Sequence, residues 1–274
     1  MSSARAPWRS RVFTALLAVC LVAVLAFLAL PILAIFVHSP PSRLIAALGE
    51  PTAREALLLS LETTTIAMAV ILLVGTPAAW LLATRGLPGQ DAMLTLIELP
   101  LVLPPAVAGI GLLAALGPEG ILGGVVSSLH IELVLQTAGV VVALIFVSAP
   151  FYIRQAHASF RALERSVLEA STDLGAREPT TLLRVALPIA RPGLLVGIAL
   201  AWGRALGEFG ATLMFAGSFA GVTQTAPLAI YDQFATDLPA ALALSAVLVA
   251  ASAVLLGAIK LAGRGSPGAL PVVR

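Results

Sequence analysis

Two charged side chains interrupt an otherwise apolar stretch late in this chain, Arg204 and Glu208. Four residues apart, they share one face of a continuous helix and can pair. Charges inside an apolar helix are expensive to bury and face protein or water rather than lipid. The pair therefore has two readings: an internal ion pair that fixes helix packing, or part of a gate or pathway lining. Glu62 is a second candidate partner for Arg204. An isolated arginine would suggest an oxyanion site, but the carboxylate beside it cancels the charge. The other conspicuous cluster is Pro100, Pro104 and Pro105, followed by Gly109 and Gly111. Each proline removes a backbone donor, so freed carbonyls must be satisfied by protein or water. A helix broken in this way either borders a cavity, as in many transporters, or merely kinks to pack. Pro104, Pro105, Arg204, Glu208, Phe209 and Thr212 are the pathway or gate candidates.

Other chemistry finds little support. A phosphate-binding loop needs a lysine after its glycines, and the single lysine, Lys260, sits in Ala258-Ile259-Lys260-Leu261, where it snorkels at a helix end. No serine, histidine and acid grouping and no paired carboxylates suggest hydrolysis, so the chain reads as a non-enzyme without a cofactor or metal of its own. Cys20 is a lone thiol in an apolar run, and His38, His130 and His157 are far apart and read as loop or interface residues.

The elements that hold these residues follow from composition. Of 274 residues, 59% are hydrophobic and 11% charged, whereas soluble domains carry about 25% charge. A net charge of +2 points to no nucleic acid. Runs of about 20 apolar residues can cross a bilayer. Six are expected, near 13–37, 56–83, 92–117, 132–153, 192–216 and 238–261, giving an all-α polytopic membrane protein. Residues 1–12 and 262–274 flank this 13–261 unit. The first run is too long for the core of a signal peptide and reads as a retained anchor. Thirteen of the sixteen basic residues fall on segments that an even span count places on one side, against Arg43 and Arg54 on the other. The positive-inside rule then puts both termini in the cytoplasm. The one long inner segment, 154–191, is too polar for lipid. Leu163, Val167, Ala170 and Leu174 recur there at spacings of three and four, which predicts short amphipathic helices.

Within that segment stand Glu169-Ala170-Ser171, then Gly175, then Val185-Ala186-Leu187-Pro188. This resembles the cytoplasmic signature of the permease subunits of ATP-binding cassette (ABC) importers, Glu-Ala-Ala, three residues, Gly, nine residues, Ile, one residue, Leu-Pro. Ser171 and Val185 depart from it by small substitutions. Ala170 and Ser171 permit close approach of another protein, and Gly175 can supply a turn between two helices. Leu99-Pro100-Leu101-Val102-Leu103-Pro104-Pro105, Gly207-Glu208-Phe209-Gly210-Ala211-Thr212 and, in the last outer loop, Pro227-Leu228-Ala229-Ile230-Tyr231 look like molybdate permease sequences. Sulfate and tungstate permeases share the Gly-Glu-Phe-Gly type.

The resemblance implies a type I ABC importer permease fold in the bacterial cytoplasmic membrane, carrying a tetrahedral oxyanion, molybdate before sulfate, thiosulfate or tungstate. It implies a second copy of the permease, two ATPase subunits that hold ATP and Mg at the 154–191 loop, and an extracytoplasmic oxyanion-binding protein. Glu169, Ala170, Ser171, Gly175, Val185, Leu187 and Pro188 would couple to the ATPase. An ion-coupled secondary transporter and a membrane anchor without transport are the readings from other classes.

Overall fold

Lipid offers no partner for a bare backbone, so an apolar chain must bond its own amides and carbonyls. The computed structural model describes residues 7–264, and these form helices with no strand among them. The expected termini, 1–12 and 262–274, lie largely outside the described residues, as do Arg5 and Arg274. Five helices are long and apolar enough to cross a membrane, Arg11–His38, Pro51–Thr84, Thr137–Arg161, Glu178–Leu206 and Leu238–Gly263. A sixth crossing exists only if a bent pair is counted as one.

In chain order, α1 is Pro7–His38, α2 Pro41–Gly49 and α3 Pro51–Thr84. The third expected span is not one helix. It splits into α4, Gln90–Val102, and α5, Pro105–Leu116, with a 117° bend between them. The short α6, Gly123–Ser128, leads to α7, Thr137–Arg161. A hairpin follows: α8 (Arg165–Asp173), α9 (Glu178–Thr181) and a π-helical turn, Leu182–Ala186. The expected fifth span, 192–216, also divides. Its helix begins earlier, with α10 proper at Leu187–Leu206, and its end becomes a separate α11, Gly210–Ala216. The segment given as the last outer loop is helix α12, Ala226–Phe234, begun by Pro227 in its first turn. The chain closes with α13, Leu238–Arg264.

The bundle is organised on α7, which packs against α3, α10, α11 and α4. Towards the hairpin, Trp80 of α3 meets Phe160 of α7 edge-on at 5.3 Å, within a cluster that includes Met68, Ile71, Ala156, Ala186 and Leu194. Buried polar groups link the same helices: Thr76 Oγ1 lies 2.6 Å from Tyr152 Oη, and Trp202 Nε1 donates to Thr64 Oγ1 at 3.2 Å. Gly193 and Gly197 bring α10 onto Ser159, Gln155 and Tyr152 of α7, whereas Gly203 faces open space. No residue in the spanning window of the apolar helix α1 is buried, and the helix rests on α13. The hairpin sits where α3 and α7 end and α10 begins; Gly263 of α13 also approaches Leu195 there.

Candidate functional site

The two helix breaks have local causes and meet in space. Pro104 and Pro105 have no amide hydrogen, so the carbonyls of Pro100 and Leu101, four residues earlier, lack their intrahelical donors. Pro105 then starts α5, where a missing donor costs nothing. On the other strand of the crossing, α10 stops at Leu206, and Gly207 and Phe209 leave helical geometry (φ −92, ψ 8 and φ −131, ψ −58) before α11 starts. The limbs beyond the breaks, α5 and α11, pack on each other. A Cβ added to Gly109 would lie 2.6 Å from the carbonyl oxygen of Ala211, and one on Gly210 would lie 2.8 Å from Cβ of Pro105. Only glycine allows this approach.

Arg204 and Glu208 do pair, but not along one helix as their spacing suggested. Arg204 is in the last turn of α10 and Glu208 lies beyond its end. The helix opens at Gly207, and this frees the carboxylate for two tasks. Its Oε2 sits 2.5 Å from Arg204 Nη2, and its Oε1 accepts the Ala211 amide at 2.7 Å, capping an otherwise unbonded donor of the α11 first turn. Glu208 is 1% exposed. The Arg204 side chain is 28% exposed. Glu62 is exposed and forms no ion pair with Arg204 among the described residues. Thr212, one turn on, is fully buried, and its hydroxyl has no hydrogen-bond partner among the described residues. The Phe209 ring lies 5.0 Å from that of Tyr231 on α12. The α12 start is held to α3, since the Ala226 amide donates to Ser60 Oγ at 2.7 Å. Pro104 and Pro105 remain exposed. The crossing thus gathers Pro105, Glu208, Phe209 and Thr212, with Arg204 attached through Glu208.

The hairpin is built differently. Gly175 takes φ +79 and turns the chain between α8 and α9, a conformation that side chains with a Cβ resist. Glu169 and Ala170 are exposed on α8. Ser171 is buried instead, its hydroxyl 2.9 Å from Thr181 Oγ1, so the close approach it permits is to α9 of the same chain. Val185 and Leu187 are half-buried beside fully buried Ala186, and Pro188 is exposed. The apolar stripe read from spacing is also split. Leu163 packs inward with Leu168, whereas Leu174 is 88% exposed at the corner. Sequence reading missed one contact of this hairpin with the bundle: Arg85, just after α3, forms a 2.7 Å ion pair with Glu178 at the start of α9. The missed signal was a lone cation directly after a span.

A bundle of lipid-crossing helices, two of them broken at one crossing and with a polar hairpin on one end, defines a membrane-embedded transport component. Residues 75–264 match the family described as binding-protein-dependent transport system inner membrane component, and the chain belongs to that family. It is 41% identical over 234 residues to the molybdenum transport system permease protein ModB of Mycobacterium tuberculosis, covering 85% of this chain and 89% of that protein. It is 36% identical to the sulfate transport system permease protein CysW of Synechococcus elongatus, over 72% of this chain and 70% of that one. In fold it is similar to a chain of the crystal structure of a bacterial alginate ABC transporter in complex with its alginate pentasaccharide-bound periplasmic protein, with a TM-score of 0.74 at 16% identity, covering 93% of this chain and 95% of that one.

Proposed function

We propose that this chain is the permease subunit of an ATP-driven importer that moves a tetrahedral oxyanion, molybdate first, across the cytoplasmic membrane. The observation that carries this reading is the 41% identity to a molybdenum permease across 85% of the chain. The 36% identity to a sulfate permease favours sulfate as the second reading. In this proposal the subunit pairs with a second copy, and an extracytoplasmic binding protein delivers the anion to the end away from the hairpin. ATP and Mg are held by two ATPase subunits, each docked on a hairpin. The exposed row of Glu169, Ala170, Asp173 and Leu174 suits such docking, an apolar anchor ringed by charge. Both termini and the hairpin lie in the cytoplasm, as the distribution of basic residues favours.

The path runs by the crossed breaks. Carbonyls of Pro100 and Leu101 without helical donors can offer water a polar wall there. Because Glu208 neutralises Arg204, the conduit would not hold an anion tightly, and selection falls to the binding protein. The test is uptake by the complex reconstituted with its ATPase and binding protein, with molybdate, tungstate and sulfate in competition. ATP-dependent molybdate uptake that excess sulfate does not suppress is expected. Suppression by sulfate alone would establish the second reading, and uptake without an ATPase would defeat both.

A further inference from the structure

A cavity lies at the end of the bundle away from the hairpin. The connection between α1 and α3 folds into α2, whose Ile45 and Leu48 are exposed while Arg43 sits on the same short helix. A short amphipathic helix between two spans lies along a bilayer interface. Between α2 and the start of α13 opens a cavity of about 410 Å³, in the size range of sites for small ligands. Its walls carry Arg43 from α2, Glu50 from the turn before α3, Gln233 from the end of α12 and Asp237 just ahead of α13. Small residues, Ala47, Ala53 and Ala243 among them, leave the space open.

The polar groups of this cavity are unmatched by one another. Among the described residues Arg43 forms no ion pair with Glu50 or Asp237. Gln233 Oε1 is buried and receives no hydrogen bond, a costly state unless a donor arrives from outside. Asp237 Oδ1 accepts the Ala240 amide at 3.1 Å, which leaves its other oxygen free to accept. A fitting ligand must therefore bring one anionic group for Arg43 and a cationic group with several N–H donors for Glu50, Asp237 and Gln233. It must also carry an apolar body for the walls made by Ala46, Ala47, Pro239 and Ala243.

We propose that this cavity binds the headgroup of phosphatidylethanolamine from the leaflet away from the hairpin. Its phosphate faces Arg43 and its ammonium faces the three acceptors. A choline headgroup has the charge but no N–H donor for Gln233. A glycerol headgroup has no cation for the two carboxylates. The inference rests on α2, α12 and α13 and does not depend on what is transported.

The test is native mass spectrometry of the full-length chain after detergent exchange with an equimolar mixture of phosphatidylethanolamine, phosphatidylcholine and phosphatidylglycerol of identical acyl chains. Phosphatidylethanolamine is expected to be retained selectively. Arg43→Gln and Glu50→Gln, both at exposed positions without a structural hydrogen bond, should each lower that retention about tenfold, the effect of losing one charge-assisted bond. Arg54→Gln, a cation outside the cavity, should change nothing. Soluble phosphoethanolamine should fail to displace the lipid. Equal retention of the three lipids, unchanged retention in both variants, absence of bound lipid in the wild type or displacement by the soluble headgroup would each overturn the proposal. Monodisperse elution of every variant separates lost binding from lost folding.

Discussion

The protein makes similar ion pairs in two places and puts them to different uses. At the hairpin, Arg85 and Glu178 meet at 2.7 Å with side chains 57% and 51% exposed. At the helix crossing, Arg204 and Glu208 meet at 2.5 Å with side chains 28% and 0% exposed. Exposed pairs are worth about 0–1 kcal/mol because solvent screens them and two long side chains must be held still. A buried pair contributes little when intact, but removing one partner leaves an uncompensated charge. The lesson is that the hairpin is held by packing and turn geometry and presents its charges outward. The crossing is held by a carboxylate that also caps a helix.

This comparison can be broken at several points. Glu208→Leu should have the largest effect. It strands Arg204 and removes the α11 cap, for a loss of about 3 kcal/mol, the lower end of the range for buried pairs because Arg204 is partly exposed. Monodisperse yield in detergent should fall sharply. The double variant Arg204→Met with Glu208→Leu should recover most of that yield but stay below wild type, because about 1 kcal/mol of capping is still missing. Equal yields for the single and double variants would show that the two charges do not depend on each other.

Gly109→Val comes next. Its side chain would press on the Ala211 carbonyl and Met214, and overpacking of this sort costs about 1–3 kcal/mol. A lowered thermal midpoint is expected; an unchanged one would mean that α5 and α11 separate freely. Gly175→Val should cost about 1–2 kcal/mol, the penalty of a left-handed residue with a Cβ. That strain stays in the hairpin, so the melting of the bundle should barely move while ATPase co-purification falls. Arg85→Gln should have the smallest effect, under about 1 kcal/mol, read as unchanged yield and melting. A large loss there would erase the contrast between the two pairs.

Much of the fold was legible because lipid demands long apolar runs, and such runs are visible in any sequence. The break at Pro104 and Pro105 was also legible, since two adjacent missing amides cannot sit inside a helix. Its 117° bend was not, because the packing of α5 on α11 sets the angle. The four-residue spacing of Arg204 and Glu208 misled through its premise of an unbroken helix, although Gly207 and Gly210 bracket Glu208 and Phe209 and hinted at the opening. Leu174 was grouped with Leu163 in one stripe because spacing finds a face without saying what covers it. The helix α12 was taken as loop since nine residues are too few to show a span. The turn at Gly175 was legible, and its positive φ is the conformation that glycine supplies there.

The hairpin and the crossing also share a shaft. Helical geometry runs from Glu178 to Leu206 over 29 residues, about 43 Å at the usual rise, and the π-helical turn at Leu182–Ala186 widens this rod without cutting it. Glu178, clasped by Arg85, stands at one tip, and Arg204 stands in the last turn of the other. Mechanically this is a crank. Were the hairpin end tilted, a rigid rod would carry the displacement to Arg204 at the far tip, with leverage set by where α7 grips it at Gly193 and Gly197. Those two glycines set how closely the rod lies on α7, since a Cβ at either would press on Ser159, Gln155 or Tyr152.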